Sequence, residues 1–155
     1  VPDIVEFERL TSVVVSFTHG VAAAQQYLQE RVVPCPESAS YFTRVYTRLL
    51  QALYASILGN HETSLAHALD GLSLAQRAGE TSMAYRYLAT MCAFAFAGNR
   101  RFDEARDSAR RITEGTEEGH NAQAVAWRGQ AEIYLQLLER PSDPPLRSIR
   151  DHLSY

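Results

Sequence analysis

Apolar residues recur along this chain at intervals of three and four, and the recurrence itself repeats. Phe7, Leu10, Val14 and Phe17 fall on one helical face. So do Tyr46, Leu49, Leu53 and Ile57, and again Tyr85, Leu88, Cys92 and Phe96. Such spacing predicts amphipathic helices, each burying its apolar stripe. The stripes share a step of 39 residues, counted from Gly20 to Gly59 to Gly98, with Leu137 at the next position. At that step Leu10, Leu49, Leu88 and Trp127 form one column. Val14, Leu53, Cys92 and Ala131 form a second, and Phe7, Tyr46 and Tyr85 a third. A fixed period of about 20–50 residues is the signature of a helical repeat array.

Four units follow, roughly 1–37, 38–79, 80–118 and 119–155, each with a longer first helix and a shorter second one. Asp3, with Glu6 three residues on, predicts the first N-terminus, and Ser38 the second. The second helices show Ala24, Leu28 and Val32, then Leu65, Leu69 and Leu72, then Phe102, Ala105, Ala109 and Ile112. Pro34 and Pro36 stop the first of these, and Gly79 and Gly115 mark the ends of the others. Leu58-Gly59-Asn60 and Ala97-Gly98-Asn99 read as tight turns with a left-handed residue. The fourth unit carries Ala124, Trp127, Ala131 and Leu135, and Pro141 ends it. Asp143 and Pro144 open a last helix with Leu146, Ile149 and Leu153 inward and Arg147, Arg150 and Asp151 outward. Ala66, Ala68, Gly71, Ala105 and Ala109 keep the second helices narrow, so that large residues of the first helices can fill the gap. The fold class is therefore all-α: a single domain over 1–155, with about eight helices stacked as antiparallel pairs in a right-handed α-solenoid. A start at Val1, without Met, reads as a piece of a larger protein.

Composition narrows the function. The chain is 46% hydrophobic with a net charge of −3, so no strong positive field invites nucleic acid or an anionic membrane. All 15 basic residues are arginine, which excludes a Schiff base or a lysine general base. No apolar run reaches the roughly 18 residues of a membrane span. Two cysteines, Cys35 and Cys92, make no disulfide framework, and a reduced, cytoplasmic compartment fits them.

The segment Leu72 to Glu80, followed by Ala97-Gly98-Asn99-Arg100-Arg101-Phe102-Asp103-Glu104-Ala105, resembles tetratricopeptide-type repeats. Gly98 before the turn, Phe102 opening the second helix and Ala105 three residues later match that pattern. The longer period is similar to the helical-repeat regions of large bacterial transcription activators of the maltose-activator and antibiotic-pathway types. The resemblance implies a groove lined by first-helix residues that holds a protein or peptide inside a bacterial regulatory protein. The alternative it implies is a small-molecule-sensing domain of such a regulator.

The candidate chemistry is sparse. His61-Glu62 lacks a second histidine four residues on, so it makes no zinc motif, and no metal or other cofactor is expected. Glu114, Glu117 and Glu118 read as a solvated turn, and no nucleophile stands in a recognisable elbow, so the expected protein is not an enzyme. The expected partner surface is Arg44, Arg48, Gln51, Tyr54, Arg86, Tyr87, Thr90 and Arg128, because arginine forks and aromatic anchors favour peptide recognition. A homodimer is compatible with the same array.

Overall fold

The computed structural model describes residues 2–78, 82–114 and 122–142, and all regular structure among them is helical. Helix α1 spans Pro2–His19, α2 Val21–Arg31, α3 Tyr41–Ile57, α4 His61–Ala75, α5 Met83–Gly98, α6 Phe102–Arg111 and α7 Ala122–Glu139; a 3-10 turn over Gln76–Ala78 follows α4. None of these helices is long and apolar enough to cross a membrane. The side chain of Asp3, Gly79, residues 115–121 and the expected last helix over 143–155 lie outside the described residues.

Each helix packs on the next in the chain, and α1, α3, α5 and α7 also touch in succession. The odd helices therefore form one layer, and α2, α4 and α6 each fit between two of them on the other side. The central helix α5 packs against α3, α4, α6 and α7, so Tyr85, Leu88, Ala89, Cys92 and Phe96 are all buried. Val45 and Leu49 of α3, Leu65, Ala68 and Leu72 of α4, and Ala105, Ala109 and Ile112 at α6 complete that core. A fully buried leucine such as Leu88 contributes about 1.5–3 kcal/mol. A second cluster joins Ala24, Leu28 and Val32 to Leu50 and Tyr54 of α3.

Small residues set the helix spacing. A Cβ added at Gly71 of α4 would lie 2.9 Å from the Arg48 Cβ of α3 and 2.8 Å from Leu88 Cδ2 of α5. The glycines at the 39-residue step serve two different ends. Gly20 and Gly59 have φ of 88° and 80°, reverse the chain between helices and have no atom within 4 Å of an added Cβ. Gly98 is helical; its bare Cα admits the His61 ring, whose Cγ would stand 2.4 Å from an added Cβ. The left-handed residue of that turn is Arg100, at φ 62°, rather than Gly98 or Asn99.

Several expectations need correction. Ser40, not Ser38, caps α3, its Oγ accepting from the Thr43 amide at 3.0 Å; Ser82 caps α5 likewise, accepting from the Tyr85 amide at 3.2 Å. Ile57 and Leu69 are exposed, because α3 is covered only up to its last turn and α4 buries the narrower stripe of Leu65, Ala68, Leu72 and Ala75. The largest departure is α1, whose stripe of Phe7, Leu10, Val14 and Phe17 faces outward. Its inward face carries the buried Arg9 and Ser12, with Val5 and Val13 against the second cluster. That face answers polar aromatics on α3. Ser12 Oγ lies 3.4 Å from the Tyr54 hydroxyl, and the Arg9 guanidinium sits 5.5 Å over the Tyr46 ring while held by Glu6 at 2.9 Å.

Candidate partner-binding groove

The odd-helix layer carries an apolar groove of about 350 Å³. Helix α3 supplies Tyr46, Leu49, Leu50 and Leu53, α5 supplies Met83 and Tyr87, and α7 supplies Gln123 and Trp127. None of these side chains is charged. Successive turns of α3 put Tyr46, Leu49 and Leu53 on one face, and the contacts of α5 with both α3 and α7 bring the three helices together. Tyr87 and Trp127 meet edge to face with ring centroids 4.6 Å apart. Phe42 stacks on Tyr46 at 4.2 Å. Phe42 and Met83 remain exposed beside the groove, so its wall offers rings and a flexible thioether to whatever enters.

Of the eight residues expected to meet a partner, Tyr87 lines this groove. Arg48 turns to α4, where it pairs with Asp70 at 2.6 Å and donates to the Gln51 side-chain oxygen at 2.9 Å. Gln51, Tyr54 and Thr90 are buried; the Thr90 hydroxyl donates to the Arg86 carbonyl one turn back at 2.9 Å. Arg44 is half-buried near Cys35. Arg86 is 1% exposed and donates to the carbonyls of Ile112 at 2.5 Å and Glu114 at 3.2 Å. Arg128 donates to the Thr113 hydroxyl at 2.9 Å and to Glu132 at 2.8 Å. Arg86 and Arg128 thus hold the C-terminal end of α6, where the last carbonyls and the helix dipole favour cations. The four arginines do not assemble into one surface.

The other seven wall residues are missing from that expectation: Tyr46, Leu49 and Leu53 read as core, and Leu50, Met83, Gln123 and Trp127 are not named for a surface. The readable signal is Trp127, the one bulky aromatic in a column of leucines. A ring too large for a leucine site displaces toward the layer surface, and Trp127 is half-buried against the core.

A second concavity, about 530 Å³, lies at the end of α6 among Asp107, Arg110, Arg111, Thr113, Glu114 and Arg128. Arg110 pairs with Asp107 at 2.9 Å and Arg128 with Glu132, so much of its charge is spent internally. No group of three or more His, Cys, Asp or Glu among the described residues is placed to hold a metal ion. Both cysteines are free thiols. Burial pushes the Cys35 thiol up from its ordinary range and the Cys92 thiol up to about 12, so both favour the protonated, poorly nucleophilic form at neutral pH. No family model, curated protein or solved structure matches the chain.

Proposed function

We propose that this protein is a non-catalytic binding scaffold: a right-handed array of tetratricopeptide-like helical hairpins, within a bacterial regulatory protein, that holds a polypeptide segment against the odd-helix layer. The observation that carries the reading is the uncharged groove between Tyr46, Leu53, Tyr87 and Trp127, built by α3, α5 and α7. Rigid aromatic rings beside aliphatic side chains supply contact area at low entropic cost, and such anchors dominate peptide and protein recognition. The expected ligand is a short segment with one or two large apolar side chains. Its affinity comes from their burial rather than from ion pairs, since no charge lines the groove.

The sensor alternative has one observation in its favour. A largely apolar recess of about 350 Å³ falls within the range of small-molecule sites, about 300–1,000 Å³. A selection of phage-displayed random peptides on the immobilised chain separates the two. The scaffold reading expects enrichment of peptides bearing Leu, Phe or Trp anchors. Their binding should change the emission of Trp127, the sole tryptophan, and weaken at least about tenfold in Leu53→Asp, a loss of about 1.4 kcal/mol. A selection that enriches nothing sensitive to Leu53→Asp overturns it. The sensor reading instead expects a metabolite that raises stability by about 2.7 kcal/mol at a hundredfold excess over its Kd.

A further inference from the structure

Helix α1 presents a surface that the groove does not use. Ile4, Phe7, Leu10, Val14 and Phe17 are 58, 69, 50, 60 and 86% exposed. We propose that this stripe is a self-association surface, where α1 packs antiparallel on α1 of a second copy across a two-fold axis.

Three observations select a second copy. The first is area. At roughly 150–250 Å² per large apolar side chain, the five present about 650 Å². That exceeds the few hundred Å² usual on a monomer and approaches the ~800 Å² per partner of a standard interface. The second is pattern. Phe7, Leu10, Val14 and Phe17 are spaced three, four and three residues apart, which is the seam of a two-helix coil. The order of phenylalanine, aliphatic, aliphatic, phenylalanine reads the same from either end. Antiparallel pairing centred between Leu10 and Val14 sets each Phe7 against Phe17 of the second copy and each Leu10 against its Val14. A two-fold interface requires that self-complementarity. The third is charge. Between Ile4 and Thr18 the charged residues are Glu6, Glu8 and Arg9. Glu6 and Arg9 pair with each other, and Glu8 accepts from the Tyr27 hydroxyl of α2. The stripe therefore brings two acidic chains together without opposing like charges.

Sedimentation equilibrium of the full chain tests this. At about 100 μM, above the micromolar Kd that a modest interface supplies, the mass should be twice the 17.4 kDa of one chain. Leu10→Glu and Phe17→Glu, both at exposed positions, should return it to one chain with unchanged helical ellipticity. In a Cys35→Ser background, F7C should cross-link when mixed with F17C and not with itself. A wild-type chain of single mass overturns the proposal, as does a dimer that survives both glutamates. Cross-linking of F7C to itself overturns the antiparallel arrangement.

Discussion

Gly71→Ala inverts an ordinary rule. Inside a helix, alanine is favoured over glycine by about 0.5–1 kcal/mol, and Gly71 lies within α4. At this position the new methyl would stand 2.9 Å from Arg48 Cβ and 2.8 and 3.2 Å from the two Leu88 methyls. The Leu88 methyls can rotate aside. The Arg48 Cβ is tied to the α3 backbone, so relief requires α3 and α4 to separate by several tenths of an ångström. Overpacking of this kind costs about 1–3 kcal/mol. Set against the propensity gain, the net loss is about 1–2 kcal/mol, or roughly 3–6 °C in Tm for a domain of this size. Urea unfolding followed by ellipticity at 222 nm measures it. Leu88→Ala should cost about 2–5 kcal/mol alone, and measurably less in the Gly71→Ala background, where it makes room. A Gly71→Ala protein more stable than wild type would refute the close contact of α3, α4 and α5 from which the odd-helix layer follows.

Other consequences are equally concrete. Gly98→Ala should destabilise by about 1–3 kcal/mol through the clash with His61, and His61→Ala should remove most of that penalty in a double-mutant cycle. Arg86→Met should cost about 1.5–3 kcal/mol, because the Ile112 and Glu114 carbonyls lose a charged donor, and hydrogen exchange should quicken first at the end of α6. A thiol reagent at pH 8 should leave Cys92 unmodified in the folded protein and label both cysteines in urea; rapid native labelling of two thiols would contradict the buried position of Cys92. The hydrogen bond from Arg9 holds the Glu6 carboxyl below its ordinary range. A depressed folded pKa means the stabilisation is present above the unfolded value and is lost as pH falls through the folded one. Glu6→Gln should therefore flatten the acid side of the stability profile and leave its neutral-to-alkaline shape unchanged.

The helices were legible because their signals are local. The three-and-four spacing of Tyr85, Leu88, Cys92 and Phe96 is sufficient for α5, and all four are buried. The outward turn of α1 was not legible, because periodicity shows that a face is apolar but not which neighbour covers it. What fixes α1 is tertiary: the Tyr54 hydroxyl and Tyr46 ring on α3 receive Ser12 and Arg9. The residues expected to meet a partner are scattered for a related reason. Arginines suit a carboxylate ligand, but Arg86 and Arg128 are drawn to the end of α6. The groove instead collects residues such as Leu53 and Trp127, which read from their columns as core. A column position is buried only where a further helix lies over it, and the odd-helix layer leaves one face of α3, α5 and α7 without such a cover between Tyr46 and Trp127.

The most direct test of a polypeptide held in this groove is the Trp127 indole, which gives one cross-peak in a proton–nitrogen correlation spectrum because the chain has one tryptophan. On titration with the peptides selected above, the account predicts a saturable shift of that peak together with the amides of Leu53 and Tyr87, and no shift in Leu53→Asp. Saturable peptide binding that leaves the indole in place and moves resonances elsewhere would contradict it.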